Sequence, residues 1–467
     1  FFVATLACFL SFYGNGQVMN PADPVIEYVS GFVAQPTYGQ VGDWVKTTRL
    51  NWNTDEYKCY IYKGNIFRLK FPKTYQHNVA DGKVYPVFIF FHGLGESGNE
   101  NIYDNEYQLF HGGQRHRDSV NSGAFDGFLL YPQNQYGFFG PAQYDALAEL
   151  LQNFLVPQNK ADINRIYVNG LSAGGTASWE FTIRYPTLVA ASLPISAANS
   201  SFQSAANTLK YIPIWHFQGG LDKNPDTSLA RQLGNSILNV GGAYTYTKYP
   251  TRGHSCWNDA WSEKDFYPFM LRAHKANPVP LFGKYEFCQG DAVNVTLGLS
   301  PGFSAYEWRK NGVVIPGATS NTYTVTSFGT YDCRIRRGTV WSPWSPNPIV
   351  VKLKDVTNTP DIQVKGLQSR VLPAPDGSTS VTLMLPATFQ SYSWVRSGNP
   401  AVLSTADTLV ASTPGSYIAT VTERFGCVST PSPGFAVVNA NGPNKPDQPG
   451  NVLANALSLS QIKIDWS

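Results

Sequence analysis

Charge is what this chain has little of. Asp, Glu, Lys and Arg make up 14% of its 467 residues and the formal net charge is only +3. No broad basic surface is available to track a phosphate backbone, which argues against nucleic acid as a partner. Cysteine is scarce as well. Six in the whole chain are too few for a disulfide-stapled scaffold, although they permit isolated bridges in an oxidising compartment. The apolar, aromatic stretch at the head, Phe1 to about Tyr13, breaks at Gly14-Asn15-Gly16 and is too short for a stable membrane span. It resembles the apolar region of a secretory signal whose charged start is missing, with a buried strand as the alternative. Residues 1–19 are therefore expected to be a truncated signal peptide, cleaved near Gly16 to Met19 with loss of Cys8, and the protein to be secreted or at the cell surface. No Met opens the chain, so it reads as a fragment at this end.

Aromatic side chains, by contrast, are plentiful: 14% of the chain, with 11 Trp and 26 Tyr. Such a composition suits a protein that faces polysaccharide, because sugar faces stack on rings, but β-sandwich cores consume aromatics too. At 43% hydrophobic the chain can build several cores, at roughly 100–200 residues per domain.

Residues 20–54 carry little periodicity and read as a lead-in. From Tyr57 two edge strands are expected, followed by the apolar run Tyr85 to Phe91 that ends in His92-Gly93. A strand with no polar face belongs to a parallel sheet covered by helices on both sides. Strand and helix then alternate: Phe128–Pro132, a helix Ala142–Phe154, a strand Arg165–Asn169, a helix from Thr176 stopped by Pro186, strands within Leu188–Ser196 and Ile212–Phe217, a helix Asp226–Asn239, a strand Ala243–Tyr249 and a closing helix Asp265–His274. This makes residues 55–278 an open α/β domain, whose sites lie beyond the carboxyl ends of the strands.

After Asn277-Pro278-Val279-Pro280 the strands shorten. Residues 283–353 carry Cys288, Trp308 and Cys333 among short alternating strands, a pattern that matches an immunoglobulin-type sandwich with a Cys288–Cys333 bridge packed on the Trp. Residues 360–438 repeat the plan around Trp394, which leaves Cys427 without an obvious partner. A polar, proline-rich linker spans 441–450, and 451–467 resembles the first strands of a fibronectin type III domain. The fold class is thus α/β followed by all-β sandwiches.

Chemistry concentrates at Gly170-Leu171-Ser172-Ala173-Gly174. With a strand before it and a helix after it, this Gly-x-Ser-x-Gly turn lifts the Ser172 hydroxyl clear of the sheet. Serine needs a base. His254 follows the strand Ala243–Tyr249, on a loop that brings an imidazole to the carboxyl edge, whereas the other histidines precede the nucleophile or lie within predicted elements. Asp222, just past the strand ending at Phe217, is the expected partner of the imidazole, with Asp226 as the runner-up or a helix cap. The order Ser172, Asp222, His254 is that of α/β-hydrolases. Charge on a tetrahedral intermediate needs two amide donors, expected at Ala173 and at Leu94 in the loop His92 to Gly98. Trp257, Trp261 and Tyr136 are candidates for a sugar- or aryl-binding wall, and each suits a core equally well. Cys59 and Cys256 could bridge the early strands to the histidine loop.

The motifs Phe91-His92-Gly93-Leu94-Gly95-Glu96-Ser97-Gly98, Gly170 to Gly175, Gln218-Gly219-Gly220-Leu221-Asp222 and Gly253-His254-Ser255-Cys256-Trp257 resemble those of secreted esterases related to polyhydroxybutyrate depolymerases and to feruloyl and acetyl xylan esterases, carbohydrate esterase family 1. The resemblance covers about 55–275. It implies an α/β-hydrolase fold, a serine mechanism with neither metal nor cofactor, and a small or polysaccharide-linked ester as substrate. Gln218 departs from it, since such enzymes often carry His there. The modular tail resembles secreted proteins of Bacteroidetes. A serine peptidase of the same fold, and a carbohydrate-binding or adhesion protein with an inactive hydrolase domain, are the competing readings.

Overall fold

The computed structural model describes residues 19–23, 42–43, 50–98, 106–135, 137–423, 426–442, 453–458 and 461–465. An α/β domain comes first and mostly β-sheet regions follow. By compactness the chain divides into two units, one of residues 1–285 with 293–351, the other of 286–292 with 352–467.

The first unit is built on nine strands: β1 (Gly42–Asp43), β2 (Lys58–Tyr62), β3 (Asn65–Lys70), β4 (Tyr85–Phe91), β5 (Phe128–Pro132), β6 (Ala161–Leu171), β7 (Val189–Ile195), β8 (Ile214–Gly219) and β9 (Tyr244–Tyr249), in the order β1-β2-β3-β5-β4-β6-β7-β8-β9. From β5 to β9 every neighbour is parallel, while β1, β2 and β3 form an antiparallel edge. The apolar run of β4 explains its central place. Val87, Ile89 and Phe91 feed one core, and Phe88 and Phe90 feed the other. Successive strand side chains point to opposite faces, so only an unbroken apolar sequence satisfies both.

The helices are α1 (Gly113–Ser122), α2 (Pro141–Leu150), α3 (Val156–Asn159), α4 (Ala173–Arg184), α5 (Ala206–Leu209), α6 (Thr227–Asn239), α7 (Trp257–Ala260) and α8 (Phe266–Leu271). The expected helix Ala142–Phe154 runs as α2, then a π-turn at Leu151–Leu155, then α3. Among the described residues no helix is long and apolar enough to cross a membrane. The expected leader lies outside the described residues except for Met19. That residue is buried in the α/β core, and its carbonyl accepts a hydrogen bond from Asn159 Nδ2 at 2.6 Å.

In the β-rich part the same construction occurs twice. Trp308 and Trp394 are fully buried, and each indole donates to a backbone carbonyl, of Ser320 and Ala406 respectively, at 2.8 Å. Tyr306 and Tyr392 donate to the carbonyls of Ser300 and Pro386, and Tyr331 and Tyr417 to those of Ser327 and Thr413. Every pair is offset by the same 86 positions (394 minus 308). Cys333, opposite Trp308 in the strand register, is therefore the counterpart of Ala419, opposite Trp394.

That equivalence corrects the expected bridge. Cys333 occupies a small-residue core position of the first repeat and is an unbridged, buried thiol. Cys288 lies with the second unit and is bonded to Cys427. The residues 453–458 and 461–465 pair as an antiparallel hairpin.

Candidate active site

The turn after β6 is tight because its glycines are. A β-carbon on Gly170 would overlap the Gly174 carbonyl, and one on Gly174 would overlap the carbonyl of Phe91. Between them Ser172 takes φ 54° and ψ −119°. A non-glycine residue in this region stores about 1–3 kcal/mol of strain, which the surrounding packing must hold. Its amide donates to Ile195 O at 3.0 Å, and its carbonyl accepts from Thr176 as α4 begins.

Three predicted residues come together here. Ser172 Oγ lies 2.8 Å from His254 Nε2, and His254 Nδ1 lies 2.9 Å from Asp222 Oδ2. A carboxylate only accepts, so Nδ1 carries the proton and Nε2 is the basic nitrogen facing the hydroxyl. Asp222 is buried and its orientation is fixed: Oδ1 accepts the Asn224 amide at 2.9 Å, and Oδ2 also accepts Gln218 Nε2 at 2.8 Å. The runner-up, Asp226, caps α6 by accepting the Ser228 amide at 2.7 Å, and takes no part.

Ser196, which the sequence reading passed over, supports the histidine loop. Just past β7 and at φ 51°, it donates from Oγ to the His254 carbonyl at 2.6 Å. Cys256 Sγ is 3.3 Å from the same hydroxyl. It is an unbridged thiol whose pKa burial pushes up to about 11, and the bridge to Cys59 that the sequence left open is not formed.

Three of the other histidines differ from His254, whose side chain is 38% exposed. His92, His116 and His216 are fully buried, and burial lowers them to about 4, 3 and 3. His92 braces the loop after β4. Its Nε2 accepts the Asn134 amide at 3.0 Å, which leaves Nδ1 to donate to Gly93 O at 2.6 Å. On that loop Leu94 is 54% exposed and opens a short turn, Leu94–Glu96. Ala173 opens α4, where the first amides have no intrahelical acceptor.

The expected aromatic wall is only partly realised. Trp257 is half-buried, with its ring centroid 6.2 Å from His254 and 5.0 Å from His111. Trp261 is corrected to core: it is 3% exposed, packs on Phe90 and His116, and donates from its indole to Asn169 Oδ1 at 3.1 Å. Tyr136 lies outside the described residues. Phe110, which the sequence reading passed over, is exposed, with its ring centroid 4.8 Å from that of His111.

No protein-family model and no curated protein matches the chain. Among solved structures it is similar to a thermostable esterase, at 25% identity and TM-score 0.38 over 45% of this chain and 59% of that one. It is similar also to a ferulic acid esterase, at 16% and 0.34 over 44% and 92%. A third is an acylaminoacyl peptidase of Pyrococcus horikoshii, at 12% and 0.32 over 44% and 37%. Likenesses this partial leave mechanism and substrate to the geometry of the site.

Proposed function

We propose that the chain is a secreted serine ester hydrolase of the α/β-hydrolase type, working through an acyl-enzyme. One observation carries the reading: an unbroken path from Asp222 through His254 to Ser172, each step within 2.9 Å, beside a serine held at positive φ. Structural serines have no need of both.

In this reading Ser172 Oγ attacks the ester carbonyl while His254 Nε2 takes its proton, and Asp222 steadies the imidazolium. The amides of Ala173 and Leu94 receive the charge that develops on the former carbonyl oxygen. His254 then protonates the leaving alcohol, and a water activated by the same nitrogen frees the acid. The acyl group is acetyl or feruloyl carried on plant polysaccharide, a choice supported by Trp257 beside His254 and by the exposed apolar side chains of Leu94 and Phe110. The Cys288–Cys427 bond supports an oxidising, extracellular location. The two β-rich repeats are read as immunoglobulin-like sandwiches, and the hairpin 453–465 as the start of a fibronectin type III domain.

The test is release of acetate or ferulate from acetylated and feruloylated arabinoxylan by the full chain, with Ser172→Ala alongside. Release by the wild type alone supports the reading. No release, with Ser172 still labelled by a fluorophosphonate, redirects the search to other esters or to peptides. No labelling of folded wild type favours the inactive, adhesive alternative.

A further inference from the structure

Glu96 is a carboxylate in an unusual place. It is 8% exposed and ends the short turn that begins at Leu94, with its own amide bonded to Gly93 O at 3.3 Å. Its Oε1 lies 3.5 Å from His111 Nε2. Its Oε2 folds back over Gly93, where an added β-carbon would sit 2.8 Å from that oxygen and 2.7 Å from Leu171 Cδ1, and it accepts no well-directed hydrogen bond among the described residues. His111 in turn packs on Trp257, and Trp257 on His254. The carboxyl thus sits where the loop carrying Leu94 meets the residue preceding Ser172, between the Gly93 backbone N–H and His111, and His111 leads back to the histidine loop.

We propose that Glu96 and His111 form a positioning pair, which holds the Leu94 amide in register with Ser172 and His254. This rests on the proposed ester hydrolysis and on Leu94 as an oxyanion donor. Burial raises the pKa of Glu96 and lowers that of His111, so desolvation disfavours the charged form of each, and the contact acts by fixing the place of the two side chains. Neither side chain touches the reacting atoms. Their effect is confined to where an amide points, and an amide displaced by a fraction of an ångström stabilises the transition state less while leaving substrate binding almost intact.

The experiment measures kcat and KM of the full chain on p-nitrophenyl acetate, together with the affinity for a trifluoromethyl ketone that forms a tetrahedral adduct on Ser172. Loss of a whole oxyanion donor costs about 100-fold to 1,000-fold in kcat, so misplacing one should cost Glu96→Ala and His111→Ala about 10-fold to 100-fold in kcat, with KM within about twofold and a parallel loss of ketone affinity. Glu96→Gln, which keeps the shape and a donor-acceptor head, should recover most of it and guards against misfolding of the alanine variant. A folded Glu96→Ala that keeps kcat and ketone affinity overturns the proposal, as does a variant that loses Tm alone. If the wild type itself turns over no ester, the proposed function fails first, and that failure is visible before any variant is made.

Discussion

The two ends of the α/β sheet place ionisable side chains in opposite settings. At the carboxyl ends of the strands Asp222 and His254 pair acid with base, partly open to solvent, beside two serines at positive φ, Ser172 and Ser196. At the other end Lys275 is buried and donates to the Val189 carbonyl and to Ser300 Oγ, both at 2.9 Å, while Arg337 donates to the Thr187 carbonyl at 2.7 Å. There the bonding partners of the cations are neutral. Burial lowers both pKa values, the Arg to about 10. One end lines up Asp222, His254 and Ser172 at hydrogen-bonding distance; the other joins the sheet to residues 300–337 through two cations. A region that looks like an appendage in sequence is thereby part of the same unit.

The largest break in this comparison is Asp222→Asn. Both carboxylate oxygens face N–H donors, from His254 and Gln218 on one side and Asn224 on the other. An amide must turn its NH2 toward one of them, and if that is His254 the imidazole is held in the wrong tautomer. A loss of about 10,000-fold in kcat is expected, read by steady-state ester hydrolysis. A loss under about tenfold would sink the relay.

Acid should destabilise the fold through its buried histidines, which resist protonation while folded. His92 and His274 are lowered to about 4, His116 and His216 to about 3, whereas in an unfolded chain each titrates near 6.5. Between those values the unfolded state binds protons that the folded state refuses. Stability therefore falls as pH drops from about 6.5 toward 4, by roughly 1.4 kcal/mol per pH unit for each histidine that stays neutral. Thermal melts across this window check it, and a flat Tm would show that these rings take up protons while folded.

Lys275→Ala sharpens the contrast from the other side. It removes two hydrogen bonds from a charged donor and leaves a void at the seam, an expected loss of about 2–4 kcal/mol. Denaturant melts should show this while kcat per folded molecule stays unchanged. A fall in kcat without a fall in stability would mean that the two ends are coupled through the sheet.

The sheet was legible because an apolar run as short as Tyr85 to Phe91 fits a strand buried on both faces. Ser172, Asp222 and His254 were legible because each follows a strand at its carboxyl end, where chain order forecasts place. Trp261 could not be assigned to wall or core because residue type does not reveal depth, and Cys288 was given the wrong partner because the disulfide spans a separation of 139 that no local pattern marks. Ser196 gave no signal, because its contact is with a residue 58 positions away. Glu96 stood in a quoted motif, but nothing in the chain marked its approach to His111.

Gln218 lies between these cases, since its position was visible and its part was not. Its Nε2 bridges Asp222 Oδ2 and the Pro225 carbonyl, at 2.8 and 3.1 Å, so it ties the acid to the loop that presents it. The donor is neutral across the whole working pH range, and so the orientation of Asp222 depends on no further titration. Gln218→Met preserves volume but removes that donor, leaving His254 as the side-chain donor to Oδ2. The aspartate keeps its bond from Asn224, so the loss should be modest, about tenfold in kcat with KM nearly constant. An unchanged kcat would show that His254 and the Asn224 amide orient the carboxylate without Gln218, and would move the functional boundary of the site inward to Asp222 itself.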